Sequence, residues 1–423
     1  MLTAISRYGA RVLPMTQELI AEVEARGELI EGPQIAEFER AFEQRLGGVR
    51  AVSTSYGRMA LYYILKAMQF PPGSEVILPA LTFWVVPEIA RVAGLTPVFA
   101  DVDPATFNLT PATVARAITP KTVAIVPTHL WGLPCDMDGL LELAQQHRLA
   151  VIEDCAHALG ARYRDRSVGT LGDGALFSFQ TLKPLNTYGG GMAVVRDPGL
   201  GDRVAALVAA EPPPTVEMVK KRLFQGRVQR ISIRPQVFTW TLFPILWASS
   251  YLGANPDVYL WEKIRSLDPL PPDYTARYSN VQAVMGLLAL KQLDTWTAET
   301  QAHAARITAA LARVPGVRLP VVPSDRTHAF YQYCAYMPGR DAVVLECLKR
   351  GVDLETLHVD VCTTLDLFSA FAAPAPGAEQ TEQALQIPVY ESLTPAEVDR
   401  VATVVSQIAA RQAAGAEAVA ARG

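Results

Sequence analysis

The stretch that decides the fold is Val151-Ile-Glu-Asp-Cys-Ala-His-Ala-Leu-Gly160, followed by Ala175-Leu-Phe-Ser-Phe-Gln-Thr-Leu-Lys-Pro184. The first segment is a short apolar run that ends in acids and small residues, which predicts a buried parallel strand. Its carboxyl end should open onto a site, because open α/β sheets bind ligands there. In the second segment Lys183 lies between an apolar run and Tyr188-Gly-Gly-Gly191. Desolvation of such a lysine favours the neutral, nucleophilic amine.

Asp154 and Lys183 together are compatible with pyridoxal phosphate chemistry. A lysine can hold that cofactor as a Schiff base, and a carboxylate can keep the pyridine nitrogen protonated so that the ring accepts electrons. Taken alone, the pair is more simply explained by a helix cap at Asp154 and a surface residue at Lys183. The pair therefore needs support from the rest of the chain.

Length and composition indicate a folded protein with a sizeable core. The chain has 423 residues, of which 50% are hydrophobic and 19% charged, enough for one large domain and a smaller one. The formal net charge of −4 gives no reason to expect nucleic acid as a partner. The first residues contain no long apolar core before a cleavage site, so we expect no signal peptide and a cytoplasmic protein.

The cysteines point to a reduced compartment and to no metal site. They are five in number, scattered, and without the spacing of metal ligands. Cys155, beside Asp154, is interpreted as a small buried residue rather than a nucleophile. The five are Cys135, Cys155, Cys334, Cys347 and Cys362.

The order of patterns along the chain predicts an α/β protein. Residues 17–24 and 35–42 have helical amphipathic spacing, and residues 75–195 alternate apolar strands with helical stretches. That alternation is typical of a mostly parallel sheet between helices. We predict an N-terminal helical segment (1–50), a large cofactor-binding domain (51–210), a basic and apolar insertion (211–273), a connecting helix (274–299), a small C-terminal α/β domain (300–412) and a tail (413–423).

The insertion has an unusual charge distribution. No acid occurs between Glu217 and Asp257, whereas six basic residues lie between positions 220 and 234, and residues 237–254 are apolar and uncharged. Pro244 and the hydroxyl side chains argue against a spanning helix. Two interpretations stay open: a helical insertion packed on its own subunit or on a second copy, and a peripheral membrane contact through residues 215–268 that would suit a lipid-linked substrate.

Seven blocks in a fixed order carry a resemblance to a known family. The chain resembles the DegT/DnrJ/EryC1/StrS sugar aminotransferases, which are fold-type I pyridoxal phosphate enzymes, from about residue 30 to 198 and again from about 274 onward. The blocks are Ser55-Tyr-Gly-Arg-Met-Ala-Leu61, Gly73-Ser-Glu-Val-Ile-Leu-Pro-Ala-Leu-Thr-Phe83, Pro97-Val-Phe-Ala-Asp-Val-Asp103, His129-Leu-Trp-Gly132, Glu153-Asp-Cys-Ala-His-Ala158, Phe177-Ser-Phe179 with Lys183, and Gln386-Ile-Pro-Val-Tyr390.

The resemblance assigns a role to each candidate residue. It implies that Lys183 carries the cofactor and moves the proton, that Asp154 holds the ring nitrogen protonated, and that His157 lies near the ring hydroxyl. It also implies that Phe83 stacks on the pyridine ring. The catalytic residues so implied are Lys183, Asp154 and His157, and the cofactor-binding residues are Gly57, Arg58, Phe83, Asp154, His157, Ser178 and Lys183, with the phosphate held by Gly57, Arg58 and Ser178.

The implied activity is transfer of an amino group from a donor such as glutamate to a keto-sugar nucleotide or related keto compound, by a homodimer. It would serve amino-sugar, polysaccharide or secondary-metabolite biosynthesis. Alternatives are a cyclitol or lipid-linked acceptor and a non-catalytic sensor or structural homologue. A sugar dehydratase is disfavoured, because that branch replaces the lysine with histidine. Departures from the family pattern include Arg58 in place of Thr, and Thr275-Ala276 in place of Asn-Tyr.

Overall fold

We describe the protein from a computed structural model, for residues 3–9, 11, 13, 16–252, 263–356 and 359–420. Parts of four predicted segments lie outside the described residues: positions 1, 2, 10, 12, 14 and 15 of the N-terminal segment, 253–262 of the insertion, 357 and 358 of the small domain, and 421–423 of the tail.

The chain contains both helices and strands. The helices are α1 (Thr16–Ala25), α2 (Gln34–Leu46), α3 (Gly57–Met68), α4 (Val85–Val92), α5 (Pro111–Ala117), α6 (Met137–His147), α7 (Pro198–Ala209), α8 (Val216–Ser232), α9 (Pro235–Phe238), α10 (Leu242–Leu252), α11 (Asn280–Leu311), α12 (Arg340–Lys349), α13 (Pro376–Thr381) and α14 (Pro395–Ala420). The strands are β1 (Arg50–Thr54), β2 (Glu75–Pro79), β3 (Leu81–Thr82), β4 (Thr96–Ala100), β5 (Thr122–Ile125), β6 (Ala150–Asp154), β7 (Arg162–Tyr163), β8 (Arg166–Ser167), β9 (Gly174–Ser178), β10 (Gly191–Val195), β11 (Arg326–Thr327), β12 (Tyr333–Tyr336), β13 (Glu355–Thr356), β14 (Asp360–Val361) and β15 (Ala384–Ile387).

A seven-stranded sheet organises the large domain, in the order β1-β10-β9-β6-β5-β2-β4. β10 pairs antiparallel with both of its neighbours, and the other strands run parallel to one another. The predicted α/β fold with a mostly parallel sheet between helices is confirmed. The carboxyl ends of β1, β6 and β9 meet at one edge, so the residues that follow these strands come together there.

Both faces of this sheet are covered by apolar side chains. On one face α2 places Phe42 with its ring centroid 5.1 Å from that of Phe177 in β9, and Phe38 lies 5.5 Å from Phe179. Edge-on aromatic contacts of this kind add to the burial of apolar area. The long helix α11 packs against α2 on the same side, where a side chain at Gly286 would collide with Phe38.

The small domain is built on the three-stranded sheet β12-β15-β13. Helices α12 and α14 pack together beside it, and the second half of α11 supplies Ala304, Ile307 and Leu311 to the same core. Several contacts tie it to the large domain, two of them in the segments that follow β2 and β4. β14 pairs antiparallel with β3, and the Asp101 carboxylate accepts hydrogen bonds from the first backbone N–H groups of α13.

One predicted boundary differs clearly from the structure. The connecting helix does not end at residue 299 but continues to Leu311, because its buried positions keep helical spacing into the small domain. The N-terminal helices α1 and α2 contain the predicted stretches 17–24 and 35–42, and before them Ile5 forms a parallel bridge with Val352 of the small domain. Beyond residue 412 the Ala-rich chain continues as α14, in keeping with the high helix propensity of alanine.

The described part of the insertion contains the helices α8, α9 and α10. Within the described part of the chain, no helix is both long and apolar enough to cross a membrane. The inner faces of these helices border the cavity considered next.

Candidate active site

A cavity of about 460 Å³ lies at the carboxyl edge of the large sheet. All of the residues predicted for the site line it: Gly57, Arg58, Phe83, Asp154, His157, Ser178 and Lys183. They follow four different strands, so the parallel sheet is what brings them together. Their individual roles stay predictions.

Asp154 ends β6 and is held in a fixed orientation. Its Oδ1 accepts a hydrogen bond from the backbone N–H of Ala156 (3.0 Å), and Oδ2 lies 3.4 Å from the Thr128 hydroxyl. Burial raises the pKa of Asp154, and the Ala156 hydrogen bond and the charge of Lys183 oppose that rise. A desolvated carboxylate with few partners is a strong acceptor for a proton donor placed against it.

Lys183 projects from the loop between β9 and β10 into the cavity. Its Nζ lies 4.7 Å from the centre of the Tyr331 ring. Burial lowers the pKa of Lys183 to about 8; the Asp154 carboxylate opposes this change and the Arg58 guanidinium adds to it. A substantial fraction of the amine is therefore neutral near physiological pH, as the apolar and glycine-rich surroundings of this lysine predicted.

The glycine-rich part of the Lys183 loop is held by the start of α11. Gly189 and Gly190 have φ angles of 124° and 102°, which favour glycine. The Gln282 side chain donates to the carbonyl of Gly189 at 2.9 Å, and the Tyr278 and Thr187 hydroxyls lie 2.8 Å apart. These contacts fix the loop that carries the lysine.

The turn between β1 and α3 forms a cradle at the helix N-terminus. A side chain at Gly57 would approach the Phe177 carbonyl oxygen to 2.9 Å and Ser178 Cβ to 2.8 Å. The backbone at Gly57 therefore lies directly against the end of β9, and the N-terminus of α3 faces the cavity beside Ser178. Free N–H groups and the helix dipole make such a turn suitable for a phosphate.

Arg58, which replaces the family's Thr, lies among aromatic rings. Its guanidinium carbon is 5.4 Å from the Tyr56 ring centre, 5.6 Å from that of Phe83 and 5.1 Å from that of Tyr274. It also donates a hydrogen bond to the Tyr274 hydroxyl. The rings hold this positive charge at the cavity wall, next to the Gly57 turn.

His157 is stacked between two aromatic rings. Its ring centre lies 4.2 Å from that of Tyr331 and 5.6 Å from that of Trp131, nearly parallel to both. Tyr331 was not singled out in the sequence, because an isolated tyrosine between two domains has no distinguishing local pattern. The two rings restrict His157 to one orientation at the cavity wall.

A second group of polar residues was missed by the sequence analysis. Arg7 donates to both carboxylate oxygens of Asp353, at 2.9 and 2.7 Å, and Tyr8 donates to Glu355. All four residues line the cavity. They meet only because Ile5 pairs with Val352, a contact between the two ends of the chain that no local pattern predicts.

The insertion supplies an apolar wall. Its cavity-lining residues lie on α8, α9 and α10 and in the short turn after α8, and most of them are hydrophobic: Gln229, Ser232, Ile233, Phe238, Leu242 and Leu246. The cavity is thus polar at the sheet edge and apolar under the insertion.

His129, Glu153 and Cys155 form a buried cluster beside the site. The Glu153 oxygens accept hydrogen bonds from the backbone N–H groups of Gly169, Leu171 and Gly172, and one lies 3.0 Å from His129 Nε2. The Glu153 carboxylate therefore has a structural role, because its oxygens already accept hydrogen bonds from the backbone. Burial raises the pKa of Cys155 well above its usual value, in line with its interpretation as a small buried residue rather than a nucleophile.

Comparison with known families covers most of the chain. The sequence profile of the DegT/DnrJ/EryC1/StrS aminotransferase family matches residues 14–216 and 253–406. The interruption, residues 217–252, is called the unmatched segment below; it comprises nearly all of α8 and the whole of α9 and α10.

Individual relatives agree with the family match. The chain is 31% identical over 404 residues to the spore coat polysaccharide biosynthesis protein SpsC of Bacillus subtilis, covering 93% of each chain. It is 32% identical over 391 residues to the GDP-perosamine synthase of Caulobacter vibrioides, covering 89% of this chain and 90% of the relative. The structure of S. venezuelae DesV in complex with a ketimine intermediate superposes with a TM-score of 0.74 at 29% identity, over 93% of this chain and 94% of DesV.

Proposed function

The chain belongs to the DegT/DnrJ/EryC1/StrS aminotransferase family, and from this premise we propose that it transfers an amino group, with pyridoxal phosphate as cofactor, from an amino acid such as glutamate to a keto-sugar nucleotide. Aminotransferase activity follows from the family. The identity of the cofactor and of the two substrates is the proposal. The observation that carries it is the buried pair of Asp154 and Lys183 in one cavity with the Gly57 turn.

The residues present fit pyridoxal phosphate. Gly57 provides a cradle that any side chain would fill, at a helix N-terminus suited to a phosphate. Thr82 lines the cavity, and its buried hydroxyl has no hydrogen-bond partner among the described residues. Asp154 and Lys183 provide the carboxylate and the nucleophilic amine that this cofactor requires. The intermediate bound in the DesV structure supports the same assignment.

The bound cofactor would supply an electron sink for the electron pair left when a proton leaves the carbon that bears the amino group. Lys183 would hold the cofactor through its amine and, once displaced by the donor, move that proton between the substrate carbon and cofactor C4′. A pKa of about 8 suits both directions of transfer near neutral pH. Asp154 would keep a proton on the ring nitrogen, and the Gly57 N–H group, Arg58 and Ser178 would bind the phosphate.

The surrounding side chains would orient the ring and exclude water. Phe83 and His157 lie on the walls of the cavity, and Tyr331 stacks on His157 and lies over the Lys183 amine. Their aromatic surfaces would confine a flat ring between them. A dry, aromatic environment strengthens the hydrogen bond to Asp154.

The relatives support a nucleotide-linked sugar as acceptor. One is named for the synthesis of GDP-perosamine and another for the synthesis of a spore coat polysaccharide. Beside Lys183, the cavity offers Arg7, Tyr8 and Glu355 as polar groups. These donors and acceptors suit the hydroxyl groups of a sugar.

A homodimer is part of the same proposal, because the family resemblance implies a site completed across a two-fold interface. Sedimentation equilibrium of the purified protein should give about twice the chain mass of 45.9 kDa. A single-chain mass over the whole concentration range would contradict it.

A half-reaction screen tests the proposed function. The protein, loaded with pyridoxal phosphate and glutamate and then freed of small molecules, is mixed with single keto-sugar nucleotides, and the products are identified by mass. We expect 2-oxoglutarate in the first step and one amino-sugar nucleotide in the second, with Lys183→Ala slower by about a thousandfold. The proposal is wrong if wild type and Lys183→Ala form 2-oxoglutarate at equal rates, or if no keto-sugar nucleotide is converted to its amino form.

A further inference from the structure

The outer surface of the unmatched segment is rich in exposed aromatic side chains. Phe224, Trp240, Trp247 and Tyr251 are 66%, 69%, 41% and 58% exposed, and among the described residues every exposed Phe, Trp and Tyr belongs to this group. Ile245, 61% exposed, lies between the two tryptophans. Exposed aromatic side chains confined to one segment of the chain indicate a surface that contacts a membrane or another molecule.

These side chains lie on α8, on α10 and, for Trp240, in the turn between α9 and α10. On α8 the exposed apolar positions are Phe224 and Val228, one helical turn apart. On α10, Trp247 and Tyr251 are again one turn apart, with ring centroids separated by 4.8 Å. Residues 235–252 contain no charged side chain. The segment thus presents an apolar, uncharged face on α10 beside a mixed face on α8.

The charge of the segment is opposite to that of the molecule. Residues 217–252 contain six basic side chains and one acid, a formal charge of +5, whereas the whole chain carries −4. Among the basic residues, Lys221, Arg227 and Arg234 are exposed, whereas Lys220 forms an ion pair with Glu24 and Arg230 is buried. Cationic side chains next to exposed tryptophan and tyrosine are the pattern of a helix that lies in the head-group region of an anionic bilayer.

We propose that the unmatched segment is a docking surface for an anionic lipid bilayer, with the exposed face of α10 in the interface and the basic side chains of α8 at the lipid phosphates. The charge favours this occupant over a second copy of the chain, because a two-fold contact through this surface would bring the exposed Lys221, Arg227 and Arg234 of two copies together. The inner faces of α9 and α10 line the catalytic cavity through Phe238, Leu242 and Leu246. Docking would therefore hold the bilayer one helix diameter from the cavity.

Vesicle co-sedimentation of the full chain tests this surface. We expect the protein to bind vesicles of phosphatidylcholine with roughly one phosphatidylserine in four, and to bind pure phosphatidylcholine vesicles more weakly. Trp240→Ser with Ile245→Ser should weaken binding by about tenfold or more. Lys221→Gln with Arg234→Gln should remove most of the preference for anionic vesicles, as should raised salt.

Matched controls lie elsewhere on the protein. Val321→Ser with Val322→Ser removes exposed apolar side chains of the small domain, and Lys121→Gln with Arg313→Gln removes exposed charges; both should bind like wild type. The proposal is overturned if the wild type stays in the supernatant with both kinds of vesicle. It is also overturned if Trp240→Ser with Ile245→Ser converts a dimer into a monomer. Transamination of soluble substrates should be unchanged in the docking variants. The experiments therefore test the membrane contact independently of the proposed aminotransferase reaction.

Discussion

At the scale of single residues, the titration of Lys183 has a measurable consequence. Burial and the Arg58 charge lower the pKa of Lys183 to about 8 from the ordinary 10.5, so the nucleophilic amine is populated at lower pH than in an exposed lysine. Covalent capture of pyridoxal phosphate by the cofactor-free protein, fixed with borohydride and counted by intact mass, should rise through about pH 8. A midpoint near 10.5 would contradict this environment. Lys183→Arg reports any background from other lysines.

The neighbours of Lys183 should move that midpoint in opposite directions. Arg58→Gln removes a positive charge that lowers the pKa of Lys183, so the capture midpoint should move to higher pH. Asp154→Asn removes a negative charge that raises this pKa, so the midpoint should move to lower pH. The exposed Arg227→Gln serves as control, with no shift expected. If the capture midpoints of Arg58→Gln and Asp154→Asn shifted in the same direction, these two charges would not determine the pKa of Lys183.

Most of the candidate site could be predicted from the sequence, because its residues follow strands within recognisable blocks. Asp154 and Ser178 end strands β6 and β9, and Gly57 follows β1, so the parallel sheet brings them to one edge. Arg7 and Glu355 could not be predicted. Their position depends on a pairing between the two ends of the chain, which leaves no periodicity in either segment.

At the scale of elements, the β1-to-α3 turn depends on the absence of a side chain at Gly57. In Gly57→Ala the new Cβ would meet the Phe177 carbonyl oxygen at 2.9 Å, which forces α3 away from β9. We expect the affinity for pyridoxal phosphate, measured by equilibrium dialysis, to fall by about tenfold or more, since the phosphate loses aligned N–H donors. Gly415→Ala is the matched control, because nothing lies within 4 Å of its added Cβ. Equal affinities of Gly57→Ala and wild type would exclude this role for the turn.

The elements also show where periodicity predicts a fold and where it does not. The alternation of apolar runs over residues 75–195 predicted a mostly parallel sheet, because β2, β4, β5 and β6 in this range are buried strands. The end of α11 was misplaced, since its apolar spacing runs unbroken from one domain core into the next. For the insertion, the sequence left open what its apolar residues contact. In the structure Phe238 lines the cavity, whereas Trp240, two residues later, is exposed to solvent. The same apolar stretch therefore contributes side chains both to the cavity wall and to the outer surface.

At the scale of the whole molecule, the small domain closes the cavity only if it stays docked on the large one. Asp101 accepts hydrogen bonds from the N–H groups of Gly377 (3.0 Å) and Ala378 (2.9 Å), at the N-terminus of α13. Asp101→Ala leaves both donors without this acceptor and should lower the free energy of unfolding by about 2 kcal/mol in urea titration. The free energy of unfolding of Asp101→Asn should lie between those of wild type and Asp101→Ala, because an amide keeps one acceptor oxygen but not the charge.

Asp197→Ala, which removes the N-cap of α7 inside the large domain, controls for loss of a cap alone. If docking shapes the site, Asp101→Ala should also weaken binding of pyridoxal phosphate while Asp197→Ala does not; equal cofactor affinity in the two variants would show that the site forms without this contact.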